Sequence, residues 1–274
     1  MIDRVLIVGQ GFIGRRLRDE WGCLSTDRKI FTFQDAEAII DEYDPQVVIN
    51  CVGYNGVKNV DDCDRELDKT FLTNTFIPMM FAELAIRRNF KLVQMSSGCI
   101  YHYDFKTQLL KTEEDAPDYF DLAYSRSKIA CERALLSLMP KLNALIVRVR
   151  IPLDDRPHPR NILDRLVQFK KVINVANSVT YIPDFIKALD HLIKVDARGL
   201  YNVVNKGILY YPELLDVYKQ SVPDFNYEVI DFEKLAIKRT NVVLSTDKLA
   251  KTGFKMRDIR EVFGECVQNH LVSL

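Results

Sequence analysis

The sequence predicts an α/β protein, a doubly wound parallel sheet with a smaller C-terminal lobe. Three observations carry that expectation. Strand-like and helix-like segments alternate from the first residues, and the strand-like runs are continuously apolar. Beyond residue 152 the regular alternation gives way to a polar, Pro-punctuated stretch, Asp154-Asp155-Arg156-Pro157-His158-Pro159. Unbroken apolar strands suit a sheet covered by helices on both faces. The 274 residues are 47% hydrophobic and 28% charged, enough to bury a substantial core. A disordered chain, a coiled-coil rod and a disulfide-stapled mini-protein are excluded.

In chain order, Ile2 to Val8 reads as a buried strand, and Gly9 to Gly14 as the loop that leaves it. Phe12 to Trp21 then keeps apolar residues at helical spacing. After Pro45, Gln46 to Val52 is the next strand. Leu67 to Arg88 is helix-periodic, with Pro78 inside it as a kink or break. Phe90 to Met95 is a third strand, ending in Ser96-Ser97-Gly98. Tyr124 to Leu138 reads as a helix that stops before Pro140, and Ala144 to Arg150 as a further strand. The expected division is 1–152 for a nucleotide-binding domain and 153–274 for a substrate-binding lobe. Within the latter, about 175–204 returns to the first domain, with a strand near Gly199 to Val204.

Charge narrows the function. Lys plus Arg and Asp plus Glu each total 38, so no basic excess is available for nucleic acid or an anionic membrane. No apolar run is long enough to span a bilayer, and the N-terminal apolar stretch stops at Gly9, unlike a signal peptide. The six cysteines (Cys23, Cys51, Cys63, Cys99, Cys131, Cys266) form no C-x-x-C pair or metal-like cluster. Reduced thiols in a cytoplasmic protein without a metal are the expectation.

Gly9-Gln10-Gly11-Phe12-Ile13-Gly14 is G-x-G-x-x-G between a strand and a helix, the context of a Rossmann-type dinucleotide site. The first glycine serves a tight turn, the second lets a pyrophosphate approach, and the third allows close helix–strand packing. The helix N-terminus then faces the phosphates with free N–H groups. Asp27, 18 residues after Gly9, fits a ribose 2′-hydroxyl and NAD. Arg15, Arg16, Arg28 and Lys29 suit a 2′-phosphate, and solvated surface charge accounts equally for each. The reading leans to NADPH over NADH.

Two Tyr-x-x-x-Lys matches occur, Tyr54/Lys58 and Tyr124/Lys128. The first encloses an Asn-Gly turn and cannot hold its pair on one helical face. The second opens a helix, where i and i+4 side chains lie together. A free phenol, with a pKa near 10, is a poor proton donor at neutral pH unless a cation stabilises its anion. Paired with an ammonium, it can protonate a carbonyl oxygen as hydride reaches the carbon. Ser97, at a strand end, can hydrogen-bond the same oxygen.

With these motifs the chain resembles an extended short-chain dehydrogenase/reductase. The glycine loop, Ser97, Tyr124 and Lys128 follow that superfamily's order, and Val48-Ile49-Asn50-Cys51-Val52-Gly53 resembles its segment over the adenosine ribose. More specifically it is similar to the nucleotide-sugar 4-ketoreductases of rhamnose formation, including dTDP-4-dehydrorhamnose reductases and the plant-type 3,5-epimerase/4-reductases. The specific pieces are Gly98-Cys99-Ile100-Tyr101, Tyr124-Ser125-Arg126-Ser127-Lys128, Arg148-Val149-Arg150-Ile151-Pro152, Pro159-Arg160-Asn161 and Ala176-Asn177-Ser178-Val179-Thr180.

The resemblance implies reduction of a nucleoside-diphosphate 4-keto-6-deoxyhexose by NAD(P)H, with a homodimer left open. It implies a cofactor site of Gly9, Gly11, Phe12, Ile13, Gly14, Asp27, Arg28, Cys51, Val52, Gly53, Asn74, Tyr124 and Lys128. Ser97, Tyr124 and Lys128 are the implied catalytic set, and Arg160, Asn161 and Arg165 the substrate contacts. Ser97-Gly98-Cys99-Ile100-Tyr101 also resembles GDP-fucose synthase, where the cysteine takes part in epimerisation, so Cys99 joins the catalytic candidates; a small buried hydrophobe is its other reading. Where the plant-type enzymes place a lysine, four residues after Arg-Asn, this chain has Arg165, a poor proton donor. His158, Lys170 and Lys171 are the remaining cations for that role, while His102, His191 and His270 read as structural or exposed. The alternative is a non-catalytic NADP-binding regulatory subunit of this fold, as in the β subunit of methionine adenosyltransferase.

Overall fold

The computed structural model describes residues 4–102, 109–232 and 240–273, so the expected strand start at Ile2 lies outside the described residues. Two compact units divide the chain. The first comprises the described part of Met1–Ile100, with Pro117–Arg148 and Lys194–Tyr201. The second comprises Val149–Ile193 and the described parts of Tyr101–Ala116 and Asn202–Leu274.

The first unit is built on a parallel sheet flanked by helices. Its elements run β1 (Val5–Val8), α1 (Phe12–Trp21), β2 (Leu24–Thr26), α2 (Phe33–Tyr43), β3 (Val47–Asn50), α3 (Asp62–Arg65), α4 (Leu67–Phe71), α5 (Ile77–Arg88), β4 (Lys91–Ser97), α6 (Ala123–Leu138) and β5 (Ala144–Val149). A strand contributed by later sequence, β9 (Gly199–Asn202), completes the order β2-β1-β3-β4-β5-β9. The β1 pairings with β2 and β3, and that of β3 with β4, are parallel. Strand order therefore reverses at β1, and ligands bind beyond the carboxyl ends of strands at such a point. Leu6, Val8, Val48, Leu92 and Ile146 pack with Ile39, Phe81, Leu84 and Leu135 from the helices. The alternate residues Ile7, Ile49, Val93 and Val147 are buried as well, so the strands are apolar on both faces.

The helix expected over Leu67 to Arg88 is interrupted, though Pro78 does not interrupt it. Pro78 lies in the first turn of α5, where a missing N–H is harmless. The irregularity precedes it as a π-helical turn, Leu72–Phe76, which carries the buried Asn74. Such bulges often serve function.

In the second unit, β6 (Pro152–Leu153), α7 (Ile162–Leu166), β7 (Lys171–Ile173), β8 (Thr180–Tyr181) and α8 (Ile182–Lys194) precede β9 in sequence. After β9 come α9 (Tyr211–Ser221), β10 (Glu228–Ile230), α10 (Asp247–Ala250) and α11 (Ile259–Val272). The strands are short and form two parallel pairs, β6 with β8 and β7 with β10. Leu153, Leu163, Leu166, Tyr181, Leu215 and Phe263 form the core. Residues 175–193 stay with this unit, and 194–201 return to the first.

Candidate active site

The glycine loop leaves the carboxyl end of β1. Gly9 has φ +94°, and a Cβ there would stand 2.8 Å from the Val52 nitrogen. A Cβ on Gly14 would stand 2.0 Å from the Gly9 carbonyl oxygen, which is how closely α1 approaches the loop. Gly11 differs, because nothing lies within 4 Å of where its Cβ would be. Gly11 is also the N-cap of α1, with no side-chain cap and no acidic residue in the first turn. The open edge and a helix start with no side-chain cap suit a diphosphate. On these observations the residues present fit a dinucleotide.

Around the loop, the Asp27 carboxylate accepts a bond from the Gln10 N–H (3.2 Å), and Arg15 Nε donates to the Gln10 carbonyl (2.7 Å). Arg28 pairs with Glu42 at 2.5 Å, while Arg16 is buried on α1 beside Glu20. The loop after β3 is held by Cys51 N–H on the Val8 carbonyl (2.8 Å) and Val52 N–H on Asn50 Oδ1 (3.1 Å). Burial, with smaller effects of neighbouring groups, pushes the Cys51 thiol up to about 12. Asn74 Oδ1 accepts from the Tyr54 N–H, and its Nδ2 donates to the Tyr54 carbonyl, each at 2.8 Å. A Cβ on Gly53 would lie 3.6 Å from Asn74 Oδ1 and 3.7 Å from Lys128 Nζ. The structure thus brings Gly53, Asn74 and Lys128 together.

Tyr124 and Lys128 occupy the first turns of α6, one helical turn apart. Tyr124 is half-buried against Tyr54, Cys63 and Ala123. Lys128 is buried and donates to the Met95 carbonyl at 3.3 Å. Burial pulls its ammonium below the ordinary lysine value, and the Glu132 carboxylate opposes that shift. Ser97 ends β4, and its Oγ accepts from the Cys99 N–H at 3.1 Å. The Cys99 carbonyl in turn accepts from Ser125 Oγ at 2.6 Å. By contrast Tyr54 and Lys58 lie in an irregular loop, with Lys58 N–H bound to Asp62.

Three side chains that sequence reading passed over hold this arrangement. Ser125 ties α6 to the Cys99 loop, and Ser127 accepts from Asn74 Nδ2 at 3.1 Å. Glu132 lies four residues beyond Lys128 and is buried. Their burial shows only in the fold, and once buried inside a helix a serine or a carboxylate needs a partner.

The proposed substrate contacts lie in the second unit. Arg160 and Arg165 are exposed, before and within α7. Asn161 is fully buried: its Oδ1 accepts from Asp154 N–H (3.0 Å) and Leu163 N–H (3.3 Å). Its Nδ2 donates to the Asp154 carbonyl at 2.9 Å, so the amide builds the loop and caps α7. His158 Nδ1 accepts from the Arg160 N–H at 3.0 Å.

Three comparisons bear on this geometry. The family described as RmlD substrate binding domain matches residues 4–272. A bifunctional dTDP-4-dehydrorhamnose 3,5-epimerase/dTDP-4-dehydrorhamnose reductase of Arabidopsis thaliana is 28% identical over 242 aligned positions, with 83% of this chain and 79% of that protein covered. Among solved structures, the L780 UDP-rhamnose synthase of Acanthamoeba polyphaga mimivirus superposes with a TM-score of 0.88 at 22% identity, covering 97% of this chain and 99% of that one. A dTDP-4-dehydrorhamnose reductase of Bacillus anthracis in complex with NADP gives 0.82 at 21% identity, covering all of both chains. Among the described residues, no helix is long and apolar enough to cross a membrane.

Proposed function

Because this chain belongs to the RmlD substrate binding domain family, we propose that it reduces the C4 ketone of a nucleoside-diphosphate 4-keto-6-deoxyhexose with a nicotinamide cofactor. The observation that carries this reading is the convergence of Lys128 Nζ and Asn74 Oδ1 on Gly53, beside a glycine loop open at Gly11. The loop and the N-terminus of α1 hold the diphosphate, with Phe12 and Ile13 in its first turn. Cys51, Val52 and Gly53 form the wall beside it, and Cys51 stays an uncharged thiol.

When bound, the reduced nicotinamide supplies a hydride to the carbonyl carbon, and the π pair moves onto oxygen. Tyr124 gives that oxygen its phenolic proton. Lys128, on the same face of α6, balances the phenolate left behind. Since the Cys99 N–H binds one lone pair of Ser97 Oγ, the Ser97 proton is left to donate to the same oxygen. Arg160 and Arg165 bind the sugar nucleotide's anionic part, and Asn161 keeps their segment in place. The six free thiols support a reducing, cytoplasmic setting.

NADPH is the cofactor we assign, with Arg28 released from Glu42 to meet the 2′-phosphate. Asp27 pulls the other way, since a carboxylate there accepts ribose hydroxyls. Arg28→Ala lowers kcat/KM for NADPH and leaves NADH unchanged on this assignment; an equal effect on both cofactors places NADH first.

Epimerisation at C3 and C5 is the second activity. Cys99 carries it, because its backbone is held on both sides by Ser97 and Ser125 at the end of β4. Solvent deuterium then enters C3 and C5 in the parent and not in Cys99→Ser. The reduction is tested by NADPH oxidation with dTDP- and UDP-4-keto-6-deoxyglucose. Tyr124→Phe lowers kcat by about 10²–10⁴-fold with NADPH affinity retained. Binding without turnover in the parent leaves a binding module instead.

A further inference from the structure

Glu132 sits at the centre of a buried polar cluster away from the reacting groups. Its Oε1 accepts from Ser96 Oγ at 2.6 Å and from Arg148 Nε at 2.9 Å. Its Oε2 accepts from Arg148 Nη2 at 2.6 Å. Ser96, Glu132 and Arg148 are 4%, 2% and 1% exposed. Ser96 lies on β4 and Arg148 on β5, neighbouring strands of the sheet. One carboxylate on α6 is therefore bonded to both strands beneath it.

The placement of this cluster matters more than its strength. Tyr124, Lys128 and Glu132 are spaced i, i+4 and i+8, so one line along α6 carries the phenol, the ammonium and the carboxylate. The strand segment Met95-Ser96-Ser97 meets that line with its Met95 carbonyl on Lys128 and its Ser96 hydroxyl on Glu132. Successive strand residues project to opposite faces, so fastening Ser96 determines where Ser97 points. Apolar side chains of equal volume would hold helix and sheet together at least as well, since burying both charges offsets their attraction. A bidentate guanidinium–carboxylate pair adds direction, which apolar packing does not.

We propose that Glu132, clamped by Arg148 and Ser96, is a positioning residue that keeps Tyr124 and Lys128 in register with Ser97 for proton transfer, a role that rests on the reductase reading above. Glu132 also acts on Lys128 through charge, while the thiols near it, Cys131 on the same helix, Cys51 after β3 and Cys63 on α3, are pushed up by burial and stay uncharged. Arg148 meets Glu132 from β5. Removing the carboxylate while the Arg148 cation stays lowers the Lys128 pKa further. Activity that needs the ammonium is then lost at a lower pH.

The test compares steady-state kinetics, pH profiles, NADPH affinity and thermal midpoint for Ser96→Ala, Ser96→Thr and Glu132→Gln. Ser96→Ala keeps the ion pair and removes only the bond to the strand. The expected result is a kcat about tenfold lower with KM for the sugar nucleotide and NADPH Kd within twofold, and recovery in Ser96→Thr. Glu132→Gln moves the alkaline limb of kcat to lower pH. If it fails to fold with Arg148 unpaired, Glu132→Gln/Arg148→Met removes the orphaned cation and is read for kcat alone, again about tenfold down. Variants that lose thermal midpoint but keep the parent's kcat and alkaline limb overturn the proposal and leave the reductase standing. A parent with no turnover removes the reductase reading and this proposal together.

Discussion

The two units hold their chains together by different means. In the first, continuous apolar strands such as Val5–Val8 and Val47–Asn50 pair in parallel, and the backbone satisfies itself along the sheet. In the second, strands are two or three residues long, and amide and guanidinium side chains take over the pairing. Arg150 donates to Asn177 Oδ1 (2.8 Å) and to the Thr240 carbonyl, and Asn177 Nδ2 donates to Asn241 Oδ1 (2.8 Å). Asn205 Oδ1 accepts from the Tyr181 N–H at 2.8 Å, and its Nδ2 donates to Asp184 at the same distance. A sheet spreads its stability over many equivalent bonds, whereas each buried amide is a single point of failure.

That contrast predicts where glycines matter and where amides do. Gly14→Ala puts a Cβ against the Gly9 carbonyl, a backbone atom that cannot swing aside. The expected loss is about 3 kcal/mol of stability, at the upper end for overpacking, with weaker binding of the nicotinamide cofactor. Urea unfolding and a fluorescence titration measure both, and an unchanged midpoint would show that α1 shifts freely on the loop. In the second unit, Asn161→Ala removes the amide's bonds to the Asp154 N–H and carbonyl and uncaps α7. About 2 kcal/mol is the expected cost, with affinity for the nicotinamide cofactor unchanged. A loss of cofactor affinity in Asn161→Ala would break the contrast, since the first unit would then depend on the second unit's amides.

The same contrast explains what could be read from sequence. The Gly9 loop, the strands over Val47–Asn50 and Lys91–Ser97, and the helix carrying Tyr124 and Lys128 are written in periodicity and glycine spacing. Short β2 and the helix α2 went unread, though α2 opens with a Thr32/Asp35 capping box. The pattern puts a kink or break at Pro78, whereas the irregularity is the π turn at Leu72–Phe76, because one extra residue per turn leaves less mark on a helical pattern than a proline does. The resemblance implies a substrate contact at Asn161, whereas in the structure its side chain bonds Asp154 and Leu163. Bonds between residues far apart in sequence, such as Ser96 with Glu132, leave no periodic trace.

The smallest expected effect lies where later sequence returns to the first unit. Lys91, at the start of β4, donates to Asp196 Oδ1 and to the Ala197 carbonyl, each at 2.8 Å, three residues or fewer before β9 begins. Burial pulls Lys91 below its ordinary value, while the bond from Lys91 holds the Asp196 carboxyl below its own. The two shifts oppose each other in stability, and Asp196 sets the acid dependence because it alone titrates there. Its contribution is fully present above the ordinary carboxylate value of 3.8 and is lost as pH falls through the lowered one. Asp196 is more than half exposed, so solvent screening holds the contribution under about 1 kcal/mol. Asp196→Asn keeps a residue suited to the positive φ of 49° there and removes only the charge. The parent is therefore slightly more stable than the variant at pH 7, and their urea midpoints converge in acid. A constant gap at all pH values would mean that the Ala197 carbonyl and the β5–β9 pairing alone retain the returning segment.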